Sequence, residues 1–365
     1  MTIDVSPLFS PFKVNGLELQ NRFVMSPMTR TRSPKGVPTA EVAAYYRRRA
    51  QGGTGLIITE GTVIDRPLSR NNPSIPDIHG AGLSGWSSVV EDVHDAGGRI
   101  WSQLWHVGAL PDPRAPADWP AQFESPSGLS SAEQPIGFEM TDSDIADTIA
   151  SFARAAADAV AVGFDGVELH GAHGYLLDQF FWSQTNRRVD RWGGATLADR
   201  SRFAVEIVRA VRRAVPSTFP VGIRISQYKI QDYDCELVSS LKEMEDWLGP
   251  LADAGVDVFH CSQREFAAPA FAGADANLAG IARRATGKPT ITVGSVGLEP
   301  NFYQSGDTGS VTLSELVRRF EHGEFDLVSV GRAILADPAF VEKVRSADFD
   351  AIKPFARELI GGELV

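Results

Sequence analysis

The sequence predicts an α/β chain folded as a closed (β/α)8 barrel of the TIM type, and three observations carry that prediction. Eight short β-prone runs recur along the 365 residues. Amphipathic helical patterns separate them. Glycines also recur just ahead of the strands, at Gly52-Gly53, Gly97-Gly98, Gly163, Gly255, Gly287 and Gly323; helices often end on a residue free to turn left-handed. Eight βα units in one unbroken series read as a closed barrel rather than an open doubly wound sheet, and residues 1–365 as one domain.

Taken in order, Pro11 to Gln20 opens with an Asn15-Gly16 turn between short runs, a hairpin signal able to plug the bottom of the barrel. The strand runs follow: Arg22 to Ser26, Gly55 to Thr59, Arg99 to Leu104, Asp165 to Leu169, Pro220 to Ile225, Val256 to His260, Pro289 to Val293 and Asp326 to Val330. All but the mixed third are near-continuous Val/Ile/Leu-type runs, as expected of parallel strands covered on both faces. Between the third and fourth, Ile145, Ile149, Phe152, Ala156, Ala159 and Val160 fall at helical spacing behind a Thr141-Asp142 cap region. Two long loops interrupt the series. Residues 111–140, rich in Pro, Ser and Ala, and residues 263–277 both belong over the carboxyl-terminal mouth. For 111–140 a capping lid and a passive excursion are equally open.

Composition bounds the chemistry. Hydrophobic residues make up 43% and charged residues 22%, ordinary for a globular protein. A net charge of -11 without a long charge run argues against nucleic acid or an anionic membrane as the main partner. Cys235 and Cys261 are too few and too far apart for a disulfide framework, a zinc ribbon or an iron-sulfur site. No leader pattern or membrane-length apolar run is present, so a soluble cytoplasmic protein is expected, as monomer or homodimer.

The densest cluster of chemistry is the stretch from Gly163 to Phe181. A strand leaves through His170 and a Gly-Ala-His-Gly turn containing His173, and a helical pattern begins at Tyr175. The carboxyl ends of barrel strands are where ligands bind, so these three proton-bearing side chains read as a reaction site, although structural hydrogen bonding would also account for them. Other strand ends add Pro27-Met28-Thr29, Glu60-Gly61, Gln103 with Trp105 and His106, Arg224, Gly294-Ser295 and Gly331-Arg332. Glycine after strand seven with Gly-Arg after strand eight suits a phosphate held by backbone amides and a guanidinium. Gln103, Arg224 and a small hydroxyl residue suit the edge of a flat heterocycle. Flavin mononucleotide has both parts; a nucleotide or another phosphorylated substrate fits nearly as well.

Several ordered motifs closely resemble the Old Yellow Enzyme family of FMN-dependent ene-reductases over nearly the whole chain: Leu8-Phe9, Asn21-Arg22, Pro27-Met28-Thr29-Arg30, Thr59-Glu60-Gly61-Thr62, Gln103-Leu104-Trp105-His106, the His170 stretch, Asn186-Arg187 through Gly194, and Gly331-Arg332 near Asp337-Pro338. The resemblance implies tightly bound, non-covalent FMN lined by Pro27, Met28, Thr29 and Gly61. Thr29 would tune the flavin near its C4 carbonyl. Gln103 would pair with the pyrimidine edge, Arg224 would sit by N1 and the C2 carbonyl, and Gly294, Ser295, Val296, Gly331 and Arg332 would hold the phosphate. His170 and His173 would donate to the carbonyl or nitro oxygen of an activated alkene, with Trp105 walling the substrate pocket. Hydride would pass from flavin N5 to the β-carbon while Tyr175 protonates the α-carbon from the opposite face. NADPH or NADH would reduce the flavin first, in the same pocket, by ping-pong kinetics.

Three positions depart from the family pattern. His173 is Asn in some relatives, Val293-Gly294-Ser295-Val296-Gly297 stands where paired glycines are frequent, and Trp192 replaces a tyrosine. Two cysteines and an end at Val365 argue against the branch that carries an iron-sulfur cluster and a second nucleotide-binding region. Two other classes compete. A metal-dependent hydrolase would use His170 and His173 with Glu168 or Asp178, Glu168 being expected to face away from the site. A catalytically idle flavin-binding barrel would have no need of an intact His170, His173 and Tyr175.

Overall fold

The computed structural model describes residues 3–119, 122–298 and 312–365. Eight parallel strands close into a barrel: β1 Phe23–Met25, β2 Leu56–Val63, β3 Ile100–Trp105, β4 Gly166–His173, β5 Val221–Lys229, β6 Val258–Ser262, β7 Thr290–Val293 and β8 Leu327–Val330. Each of the eight expected runs is one of these strands. The outer ring consists of α1 Ala40–Gln51, α2 Gly82–Asp95, α3 Asp142–Val162, α4 Arg202–Ala214, α5 Leu241–Ala254, α6 Leu278–Thr286, α7 Leu313–Glu321 and α8 Phe340–Arg345. Helix α3 starts in a capping box, Thr141 with Asp144, and ends on left-handed Gly163. Among the described residues no helix is long and apolar enough to cross a membrane.

The amino-terminal hairpin pairs Phe12–Val14 with Leu17–Leu19 across Asn15 and Gly16, whose φ of 39° and 94° give the doubly positive turn that matches strand twist. Val14 and Leu19 pack with Val24, Leu56, Ile58, Trp101, Val258, Ile291 and Leu327, which come from six barrel strands. The hairpin is the plug at the bottom.

Three strands, β2, β4 and β5, run four residues past their expected ends, where pairing resumes beyond a register shift. β2 shifts between Ile58 and Gly61 against β3, and β4 shifts between Gly171 and His173 against β5. The Gly-Ala-His-Gly segment is therefore strand as far as His173, not a turn from Gly171. Its extra residues are polar or small and stand above the packed barrel layers, where no hydrophobic alternation marks them.

The 111–140 excursion has two parts. Pro111 to Arg114 stay at the mouth, while residues 124–139 hold short paired strands, Glu124–Ser125 with Phe138–Glu139 and Leu129–Ser131 with Gln134–Pro135. That small cap is pinned by Glu124, which accepts from Arg66 at 2.6 and 2.7 Å and from His106 at 2.9 Å. His106 Nδ1 accepts from the Gly108 amide, so its proton is on the nitrogen facing Glu124. Trp192, the departure from tyrosine, is buried against Phe203, and its indole N–H donates to Asp142 at the start of α3.

Candidate active site

Two adjoining cavities open at the carboxyl ends of the strands, of about 430 and 380 Å³, and share Met28, Ile230 and Arg332. The first runs from Pro27 past His173, Arg224 and Ser262 to Gly294, Ser295, Val296, Gly331 and Arg332. The second is more apolar, with Thr29, Trp105, Leu110, Tyr175 and Leu335 in its walls.

In a regular strand residues three apart face opposite sides, so His170 and His173 should diverge. The shift after Gly171 and a left-handed His173, φ 65°, bring both rings inward, with centroids 5.3 Å apart and nearly perpendicular. The backbone N–H of His173 donates to Ser226 Oγ at 2.9 Å, holding that conformation. Its Nε2 lies 2.8 Å from Ser262 Oγ. His170 packs 4.9 Å from Tyr175 and 6.0 Å from Trp105, while Trp105 meets Tyr175 edge-on at 4.8 Å. Nδ1 of His170 is buried without a hydrogen-bond partner.

Tyr175 precedes the short helix Leu176–Phe181, and two buried contacts fix that turn. The Gly174 amide donates to Asp178 at 2.8 Å, and Lys229 Nζ lies 2.7 Å from the same carboxylate, both side chains fully buried.

Burial sets the protonation states. It pushes His170 and His173 well below the usual histidine range, and the Arg224 guanidinium adds to the shift, so both rings are neutral near pH 7. Burial raises the Tyr175 hydroxyl to about 12, keeping its proton in place. Arg224 is lowered by burial and supported by nearby Glu168; it donates to Ser262 at 3.3 Å and leaves Nε unpartnered.

Beneath the mouth, Glu168 accepts from Gln103 Nε2 at 2.7 Å and lies 2.7 Å from His260 Nδ1. Glu168 and His170, two apart, share the inward face of β4, contrary to the expectation that Glu168 faces away. Its oxygens are committed to Gln103 and His260, and those of Asp178 to Lys229 and Gly174. Among the described residues no group of three His, Cys, Asp or Glu is placed to hold a metal. The donor set that a barrel metallohydrolase needs is therefore not assembled among the described residues, and that alternative finds no support.

Gly61, Gln103 and His170 are not among the residues lining either cavity. A Cβ on Gly61 would overlap the indole of Trp105, so this glycine makes room for that ring. The amide of Gln103 spends one N–H on Glu168 and keeps its carbonyl and second N–H.

At the far end of the first cavity, Gly294 has φ 153°, and a Cβ there would stand 2.8 Å from the Gln263 carbonyl oxygen. Ser295 is left-handed, φ 52°, and its Oγ lies 3.4 Å from Arg332. Arg264 lies in the same wall, its guanidinium 4.6 Å from the Tyr233 ring centre. Arg332 is lowered first by burial and then by Arg264, the arrangement of cations that awaits an anion.

Ser262, Gln263 and Arg264 are the site residues that strand-end reading passed over. The signal was there, a polar Ser-Gln-Arg after the sixth apolar run, as after the other seven. Tyr228 and Tyr233 also line the mouth and stack at 5.9 Å; they lie in and after the unforeseen extension of β5.

These residues fit FMN on structural grounds: an anion end with two guanidiniums and a glycine-shaped cradle, and a buried, unpartnered Nε on Arg224 at the other end. Comparison with known proteins agrees. The profile of the NADH:flavin oxidoreductase / NADH oxidase family matches residues 7–349. A 12-oxophytodienoate reductase 7 of Oryza sativa subsp. japonica is 33% identical over 93% of this chain and 88% of its own length. An NADH oxidase of Thermoanaerobacter brockii is 32% identical over 95% of this chain, which spans about half, 52%, of that protein. The structure of a morphinone reductase mutant in complex with tetrahydroNAD superposes with a TM-score of 0.80 at 29% identity, covering 98% of this chain and 95% of that one. The chain belongs to the NADH:flavin oxidoreductase / NADH oxidase family, the Old Yellow Enzyme family of FMN oxidoreductases.

Proposed function

We propose that this protein is an ene-reductase, reducing the carbon-carbon double bond of α,β-unsaturated carbonyl compounds or nitroalkenes at the expense of NADPH or NADH. One observation carries the reading: two neutral imidazoles and a protonated tyrosine converge, ring against ring, beside the apolar second cavity. FMN, when bound, supplies the hydride it has received from the nicotinamide. Pro27, Met28 and Thr29 form the wall shared with that cofactor, Gln103 and Arg224 its polar edge, and Gly294, Ser295, Val296, Gly331 and Arg332 its phosphate site, joined by Arg264.

Each imidazole carries a single proton near pH 7, so His170 and His173 act as hydrogen-bond donors to the substrate oxygen rather than as cations. Their N–H groups polarise the alkene and make the β-carbon electron-poor. Tyr175 keeps its proton until negative charge develops at the α-carbon, then gives it up there. Trp105 and Leu110 exclude water from the apolar cavity, which strengthens every one of these contacts. Gly61 enters as the residue that lets Trp105 seat.

The test is an anaerobic titration of the purified, FMN-loaded protein. A yellow protein bleached by NADPH and restored by 2-cyclohexenone is the expected result. A preparation that stays colourless with added FMN, or whose reduced flavin ignores the enone, would overturn the proposal.

A further inference from the structure

The carboxyl-terminal segment reaches back across the mouth. Arg30 donates to the carbonyls of Leu359 and Ile360 at 2.9 and 2.8 Å, and Arg32 to those of Gly361 and Gly362 at 3.0 and 2.9 Å. Arg48 and Arg49, on α1, donate to the backbone oxygens of Leu364 and Val365. Phe355, Leu359 and Leu364 pack against the barrel's main core, but Ile360 does not: it is 43% exposed and lines the second cavity instead.

The clamp and the cavity share one piece of chain. Thr29 lines the cavity, and the next two amides, those of Arg30 and Thr31, donate to buried Glu60 at 2.9 and 3.3 Å. The guanidinium of Arg30 is thereby aimed at the tail from a fixed backbone. Ile360 thus stands at a defined place in a cavity wall that also includes Trp105 and Tyr175, an aliphatic group outside the set packed against the main core.

We propose that Ile360 is a specificity-determining residue, setting how bulky an alkene the second cavity admits, and that Arg32 positions it through the tail carbonyls. The inference rests on the ene-reductase reading. Its test compares kcat/KM for benzylideneacetone with that for 2-cyclohexenone in FMN-loaded parent, Ile360→Ala and Ile360→Trp proteins. A hydrophobic wall trimmed or filled by a few carbons changes discrimination by about tenfold. The bulky-to-small ratio should rise by about that factor in Ile360→Ala, fall by about that factor in Ile360→Trp, and rise by less in Arg32→Ala. Flavin content and thermal midpoint should match the parent, because the residue lies at the rim. Ratios that stay within about twofold of the parent in both Ile360 variants would overturn the inference while leaving alkene reduction intact. A parent protein that reduces neither enone would sink the underlying reading, and this one with it.

Discussion

At the closed end of the barrel, Val14, Leu19, Val24, Leu56, Ile58, Trp101, Val258, Ile291 and Leu327 are buried and pack on one another. At the mouth and just beneath it, Trp105 Nε1, His170 Nδ1, Arg224 Nε and His260 Nε2 are buried with no hydrogen-bond partner. An unsatisfied buried polar group costs about 1–3 kcal/mol. In the closed-end cluster Trp101 Nε1 is the one such atom, against four at the mouth end, so the mouth gives up more stability to keep donors and acceptors free. Substitutions at the two ends should fail in different ways.

The largest expected effect is at the mouth. Tyr175→Phe removes the proposed acid, and loss of a positioned proton donor lowers rate by about 10²- to 10⁴-fold. Stopped-flow absorbance should show that slowing in flavin reoxidation by 2-cyclohexenone, with flavin reduction by NADPH nearly as in the parent. Unchanged enone turnover would remove the acid role from Tyr175. At the closed end, Leu19→Ala should lower unfolding stability by about 2–5 kcal/mol, the range for truncating a packed leucine. Urea denaturation measures it, and kcat/KM per folded molecule should not move. A loss of activity without loss of stability would break the division between the ends.

Arg332→Ala sharpens the comparison. A hydrogen bond to a charged group is worth about 1.5–3 kcal/mol, so FMN should bind about 10- to 100-fold more weakly by fluorescence titration. The apoprotein should be no less stable, since the substitution relieves the mutual repulsion of Arg332 with Arg264 and Arg357. The smallest effect is a pH slope. His170 and His173 are held below their ordinary value of 6.5, so the unfolded chain takes up protons there that the folded chain refuses. Stability contributed by the neutral rings is present above about pH 6.5 and is lost as pH falls below it. The thermal midpoint of the apoprotein should drop through that range, and less steeply in His173→Asn. Equal slopes would place the acid sensitivity elsewhere.

The barrel was legible because its inner layers obey one rule: buried parallel strands read as apolar runs, and most helices between them end at or just before a glycine, α4 with its Val215 cap being an exception. Where strands rise above those layers the rule lapses. The ends of β2, β4 and β5 are polar or small, so their extensions, and Tyr228 with them, left no pattern. The site was legible residue by residue but not in its aim. Sequence offers no view of the register shift that turns His170 and His173 the same way, although the two-residue spacing of Glu168 and His170 did allow Glu168 to be placed on the same face. Contacts between distant segments, Arg30 to Ile360 or His106 to Glu124, were beyond reach for the same reason: they depend on closure of the whole fold. The loop at 263–277 was expected over the mouth, and Gln263, Arg264 and Glu265 are indeed in the wall of the first cavity. Residues 299–311, between β7 and α7, lie outside the described residues.

The left-handed backbone at residue 173 limits what evolution can write there. Side chains tolerate that conformation unequally; glycine takes it freely, while Asn, Asp and His are the other residues enriched in it. A donor to the substrate is also wanted, which glycine and an ionised aspartate do not supply. Two letters satisfy both demands, His and Asn, the same pair that the family resemblance brings to this position. A saturation library at this codon should therefore return a short alphabet, and an Ala or Gln at 173 would fail by moving the strand before it failed by losing a hydrogen bond.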